Sequence, residues 1–169
     1  RMRGKGQVLS CDIYAHKLER IRAGADRMGL SNVQTVLQDA AASRAEWVQQ
    51  ADVVLCDVPC SGLGIIRKKP EIRYKNPAEL ENLPALQAKI LRNCAQYVRP
   101  GGTLVYSTCT ILQRENEDVV RAFLAEHTDF AAAPWSHPVC GAREDGMVTL
   151  LPPLHDTDGF FIAKLHRRA

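Results

Sequence analysis

The sequence has no apolar run approaching the ~18 residues that a membrane-spanning helix needs. It also has no charged-then-apolar leader ending in small residues. Neither a membrane span nor export is therefore expected, and a cytoplasmic setting is. Six cysteines in 169 residues fall far below the density of a disulfide scaffold, and none forms a Cys-x-x-Cys pair, which suits a reducing compartment. His137-x-x-Cys140 and His155 have no second ligand pair at a suitable spacing, so they read as ordinary loop residues and no metal site is expected. No internal repeat, low-complexity tract or linker interrupts the chain. One domain over residues 1–169 is expected, large enough to bury roughly 68–70% of the surface the unfolded chain exposes. Hydrophobic content of 46% and charged content of 24% describe an ordinary globular chain. A net charge of +3 is compatible with nucleic acid without arguing for it. The chain opens on Arg1 rather than Met and runs almost at once into a strand, as expected for an N-terminally truncated piece of something longer.

Two short segments stand out: Asp57-Val58-Pro59-Cys60-Ser61-Gly62 and Ser107-Thr108-Cys109-Thr110. Each follows an apolar run of strand character, Asp52–Cys56 before the first and Gly102–Tyr106 before the second. A helical pattern from Pro84 to Val98 lies between them, closed by Pro100-Gly101-Gly102. A strand–helix–strand unit is normally a right-handed crossover with both strands parallel and both carboxyl ends on one edge, where open α/β sheets bind ligands. The spacing thus predicts that an acid and two thiols converge on one crevice. Chemistry gives that trio a use. Carbon 5 of cytosine is a poor nucleophile, but a thiolate added to carbon 6 turns the ring into an enamine that attacks a methyl donor. A carboxyl near ring nitrogen 3 stabilises the charge that develops, and a second thiol can help eliminate the enzyme. A free Cys is only a few per cent thiolate at neutral pH, yet it is intrinsically very nucleophilic.

Asp-x-Pro-Cys-Ser-Gly followed later by Ser-Thr-Cys-Thr resembles the RNA cytosine-C5 methyltransferases of the Nol1/Nop2/Sun family. Leu63–Ile72 and the ending Asp158-Gly159-Phe160-Phe161-Ile162-Ala163 resemble its bacterial Sun/RsmB branch. The resemblance implies a Rossmann-like α/β class I methyltransferase sheet, mainly parallel, with one antiparallel strand near the end. It implies S-adenosylmethionine as cofactor and small-subunit (16S) ribosomal RNA as substrate. It carries the nucleophile over to Cys109, assistance with release to Cys60, and base and cofactor contact to Asp57. Asp12 would meet the cofactor's ribose and Asp39 its adenine. The family's first strand and its Gly-rich turn have no counterpart here, because Gly4-Lys5-Gly6 is too short and lacks a preceding strand. Two exposed strand edges, a swapping hazard, and weak cofactor binding by this chain alone are therefore expected; the oligomeric state stays open. Two other readings remain: an inactive Rossmann-like module that holds RNA, and another RNA or DNA cytosine-C5 methyltransferase, in which, for DNA, the Pro-Cys thiol attacks.

Along the chain, Gln7–Asp12 reads as a buried strand and Asn32–Asp39 as a second, each ending in an acid. Without the resemblance, Asp12 and Asp39 serve equally well as a solvated strand end or helix caps. A helix over Ala15 to Met28 carries the apolar stripe Ala15, Leu18, Ile21, Ala25 and Met28, and Gly29 stops it. Cys11, Cys56 and Cys94 read as small buried hydrophobes. Asn82 and Pro84 open the central helix, whose buried positions are Leu86, Ile90, Leu91, Cys94, Tyr97 and Val98. Arg67, Lys68, Lys69, Arg73 and Lys75, with Tyr74 among them, follow the first thiol segment directly and suit RNA phosphates and a stacked base. Glu115, Glu117 and Asp118 stand at the start of another helix, where anions favour the dipole. Met147–Leu151 and Gly159–Leu165 are expected to close the sheet, one of them antiparallel.

Overall fold

The computed structural model describes residues 2–169, which divide into two compact units, one up to Ser43 and the other Arg44–Ala169. In the first, strands β1 (Val8–Asp12) and β2 (Val33–Leu37) pair in parallel from Val8↔Val33 to Asp12↔Leu37, joined by helix α1 (Ala15–Arg27). Leu18 and Ala25 are buried on α1. Met28 is not: it caps the helix with φ −92°, leaves the helical track and is 68% exposed. Gly29, at φ +66°, completes the stop. Cys11 is exposed rather than buried, since a sheet of two strands covers too little of itself to bury a face.

The second unit contains β3 (Ala51–Asp57), α2 (Pro77–Leu80), α3 (Leu83–Tyr97), β4 (Val98–Thr108), α4 (Glu117–Glu126), β5 (Phe130–Ala132), β6 (Trp135–His137), β7 (Gly141–Arg143), β8 (Met147–Leu150), α5 (Pro152–His155) and β9 (Phe160–Arg167). Its main sheet has the order β3-β4-β9-β5, with β8 also on β9, while β6 and β7 form a separate hairpin. β3 and β4 are parallel, and β9 runs antiparallel to β4, β5 and β8. The strands expected in one sheet thus lie in two α/β assemblies, the larger a mixed sheet in which β9 alone runs against its neighbours. Among the described residues β3 has no strand partner besides β4, and Val53 and Leu55 on it are 57% and 75% exposed.

α3 is the crossover between the parallel strands. Ile90, Leu91, Cys94 and Tyr97 are buried, but Leu86 is 39% exposed and Gln87 takes the inward position instead. Asn82 precedes α3 without capping it; the Asn side chain that caps is Asn76, accepting from the Ala78 N–H at the start of α2. Pro100-Gly101-Gly102 is not a turn outside the strand. β4 starts at Val98, and its register jumps from Ala51↔Val98 to Val53↔Thr103 around Gly101, whose φ is +76°. Cys56 and Cys94 are buried, and their mutual hydrogen bond, with burial, pushes the Cys56 thiol well up, as expected of inert core sulfur. Tyr106 and Phe161, both fully buried, meet edge-to-face at 6.1 Å between β4 and β9.

Three backbone segments lock at the carboxyl end of the parallel pair. Gly64 N–H donates to the Cys109 carbonyl at 3.0 Å, and Gly159 N–H donates to the Gly64 carbonyl at 2.8 Å. A Cβ on Gly64 would collide with the Gly159 carbonyl, and one on Gly159 would lie 2.7 Å from Gly64 Cα and 2.6 Å from Ile111 Cγ2. Gly64→Ala is therefore expected to destabilise the chain by about 1–3 kcal/mol or more in denaturant unfolding. Gly24→Ala, inside α1 with nothing within 4 Å, is expected to stabilise by about 0.5–1 kcal/mol. Equal stabilities for the two variants would remove the interlock as the scaffold of this edge.

Candidate active site

The register Asp57↔Ser107 aligns the ends of β3 and β4, so the loops that follow leave the sheet side by side. Three residues on along one loop is Cys60; two on along the other is Cys109. Their sulfurs lie 3.0 Å apart, and the Cys109 N–H points at Cys60 Sγ at 3.3 Å. Gly62, at φ +78°, turns the first loop back into the short helical turn Leu63–Ile65. Both thiols face a cavity of about 370 Å³, whose wall includes Lys69, Glu71, Ile72 and Lys75. Asp57 is exposed, accepts from Ser107 Oγ at 3.2 Å and does not line that cavity.

The two sulfurs share one proton unequally. The hydrogen bond from Cys60 lowers the Cys109 thiol to about 7; burial and the Asp57 charge oppose this, and the Lys75 ammonium assists. The same hydrogen bond, then burial, then the charge on Cys109 push the Cys60 thiol far up. Cys109 is thus the more acidic thiol of the pair and Cys60 the one that keeps its proton, which is the arrangement of an activated nucleophile with a donor beside it.

The cations of the basic segment divide. Arg67 Nη2 lies 3.4 Å from Asp158 Oδ1 and Lys68 pairs with its other oxygen; Asp158 is only 7% exposed, and the Lys68 hydrogen bond holds its carboxyl below the usual range. Lys69 lines the thiol cavity, as does Lys75, whose Nζ donates to the Ser61 carbonyl at 2.9 Å. Arg73 is exposed beside Tyr74, which is 82% exposed. Asp158 was not foreseen, because it stands ninety residues from its partners in sequence. Glu115 lies not in the first turn of α4 but in the turn Gln113–Glu115 before it, and is fully buried.

The first unit holds Asp12 and Asp39. Asp12 accepts from the Tyr14 N–H at 2.9 Å and pairs with Lys17 at 3.4 Å; Asp39 accepts from the Ala41 N–H at 2.8 Å. Each closes a local turn through one oxygen, and the second oxygen of Asp39 remains open to a donor among the described residues. Such acceptors fit the hydroxyl and amino groups of a nucleoside. Among the described residues no cluster of three or more His, Cys, Asp and Glu suits a metal ion, and no helix is long and apolar enough to cross a membrane.

Residues 1–166 match the family model described as "16S rRNA methyltransferase RsmB/F". The chain is 40% identical over 174 residues to the probable ribosomal RNA small subunit methyltransferase B of Bacillus subtilis, covering 99% of this chain and 39% of that protein. It is 34% identical to ribosomal RNA small subunit methyltransferase F of Escherichia coli, covering 99% of this chain and 36% of that protein. Relatives of the B and F kinds therefore both match, and the chain spans about two-fifths of their length. The crystal structure of NSun6 from Pyrococcus horikoshii with SFG, an S-adenosylmethionine analogue, superimposes with TM-score 0.81 at 28% identity, over 98% of this chain and 42% of that one.

The shared proton has a direct consequence. Alkylation of Cys109 by iodoacetamide, followed by peptide mass spectrometry, is expected to have its midpoint at about pH 7. In Cys60→Ala the hydrogen bond that lowers Cys109 is gone, so the midpoint must move up, towards the ~8.5 of a free thiol. A midpoint that stays put contradicts the coupling.

Proposed function

This chain belongs to the 16S rRNA methyltransferase RsmB/F family, and from that premise we propose that it carries the catalytic thiols of an S-adenosylmethionine-dependent enzyme that methylates carbon 5 of a cytosine in 16S ribosomal RNA. The observation that carries this reading is the 3.0 Å contact between Cys60 and Cys109 at the joint carboxyl end of two parallel strands.

Cys109, as thiolate, attacks carbon 6 of the cytosine: the S–C6 bond forms and the C5=C6 pair moves onto C5. Asp57, at the end of β3, is the carboxyl proposed to answer the charge at ring nitrogen 3. The cofactor, when bound, supplies the electrophilic methyl that C5 takes. Removal of the C5 proton then returns the electron pair to C5=C6 and breaks the S–C6 bond, releasing Cys109. Cys60 is suited to take that proton. Its thiol is held protonated first by its hydrogen bond to Cys109. Once the Cys109 sulfur is bonded to carbon, it is uncharged and a poor acceptor, so Cys60 gives its own proton to solvent more easily and, as thiolate, takes the C5 proton at the step that needs a base. Asp12 and Asp39 are the acceptors proposed for the cofactor's ribose and adenine. Lys69, Arg73 and Lys75, with Tyr74, are the better placed of the basic residues for RNA; Arg67 and Lys68 are held on Asp158. The target base must leave its stack, at a cost of a few kcal/mol that is smaller in single-stranded RNA.

The two thiols should part on mutation in the complete protein. Cys109→Ala is expected to abolish both covalent attachment and methyl transfer. Cys60→Ala is expected still to attack and methylate, but to accumulate a protein–RNA adduct that survives denaturing electrophoresis. An adduct that appears in Cys109→Ala and vanishes in Cys60→Ala reverses the roles, and unchanged turnover in both makes the thiols packing residues of an RNA-holding module.

A further inference from the structure

Beneath the thiols lies a buried polar network in which they take no part. Glu115 has no exposed surface, and its Oε2 accepts from the Ser61 N–H and from Gln87 Nε2, each at 2.9 Å. The same Gln87 nitrogen donates to the Pro59 carbonyl at 2.9 Å. Glu115 also offers its own carbonyl to the Tyr106 hydroxyl at 2.6 Å. Around it, Ser61 Oγ and Thr110 Oγ1 are 2.7 Å apart, Thr108 Oγ1 donates to Asn116 Oδ1 at 2.6 Å, and Asn116 Nδ2 donates to the Thr110 carbonyl at 3.1 Å. Pro59 and Ser61 flank Cys60; Thr108 and Thr110 flank Cys109. Every neighbour of both sulfurs is thus anchored to Glu115, to Gln87 or to the adjoining Asn116.

Such a network is costly to keep in a core. Glu115 Oε1 and Gln87 Oε1 are buried with no hydrogen-bond partner among the described residues, so each has given up hydration without a replacement. An apolar pair of the same volume would pack there more cheaply but would release the Ser61 N–H and the Pro59 carbonyl, and with them the loop that carries Cys60. We propose that Glu115 is a positioning residue for the thiol pair, acting through the Ser61 N–H and through Gln87 to hold the Cys60 sulfur against Cys109 for the methyl transfer proposed above. It touches neither sulfur and rests on that functional reading for its purpose, but its effect on the thiols is measurable without RNA or cofactor.

The conservative variant separates geometry from bulk. Glu115→Gln retains a carbonyl oxygen to accept from the Ser61 N–H and Gln87 Nε2. Glu115→Ala removes the acceptor altogether, and Gln87→Met removes both bonds made by the Gln87 amide while keeping its volume. In the full chain, the rate of diamide-induced Cys60–Cys109 disulfide formation, read by peptide mass spectrometry, reports how often the sulfurs meet. Circular dichroism reports folding. Glu115→Gln is expected to react within about twofold of the native rate, and Glu115→Ala and Gln87→Met at least tenfold slower with native circular dichroism. Where Glu115→Ala does not fold, Gln87→Met carries the test. Native disulfide rates in the folded variants, or a loss in Glu115→Gln as large as in Glu115→Ala, overturn the proposal. Loss of the thiol contact in these variants with no methyl transfer by the native complete protein leaves the positioning role standing and removes the functional reading; the reverse pattern does the opposite.

Discussion

The parallel pairing of β3 with β4 is the contact on which the rest of this edge depends. Its register sets Asp57 opposite Ser107, and the two loops that leave those residues bring sulfurs 49 positions apart in sequence to 3.0 Å. A slip of one residue would turn every side chain of one strand to the other face. The pairing is secured from both sides. α3 packs the crossover with Ile90, Leu91, Cys94 and Tyr97, and β9 continues the sheet on the far side of β4 with Phe161 against Tyr106. At the carboxyl end, the Cys109–Gly64–Gly159 backbone contacts leave no room for a Cβ, so the site rests on close main-chain packing rather than on adaptable side chains.

That rigidity matters for the proposed chemistry, which turns on one proton. Two thiols in contact in a partly buried cavity cannot both ionise, and the hydrogen bond between them decides which does. Lys75 and Asp57 act in opposite senses on Cys109, the first lowering its thiol and the second raising it. In the proposed reaction Cys109 is charged before it attacks and neutral afterwards. The change in its partner's acidity follows from the bond it forms, with no movement of the chain required.

The elements of this edge were legible in the sequence because local patterns carry them. The apolar runs before Asp57 and Ser107, the helical spacing between them and the two Cys motifs placed both thiols on one edge. What was illegible depended on partners far away in the chain. Met28 and Leu86 fit an apolar stripe by spacing, but one follows the end of its helix and the other gives up the inward position to Gln87, which serves Pro59 and Glu115. Cys11 reads as core only if a wide sheet covers it. Arg67 and Lys68 look like part of a free basic run until Asp158 takes them. Glu115 reads as one of three acids favouring a helix dipole, and nothing local reveals that the Ser61 N–H and Gln87 converge on it.

In the proposed reaction Cys109 attacks and Cys60 releases. An RNA substrate bearing 5-fluorocytosine tests this most directly, because fluorine on C5 leaves no proton to remove and holds the enzyme on the base after methylation. Peptide mapping of the trapped complex of the complete protein with S-adenosylmethionine is predicted to find the nucleotide on Cys109, with Cys60 unmodified. A nucleotide found on Cys60, or no covalent complex at all, contradicts it.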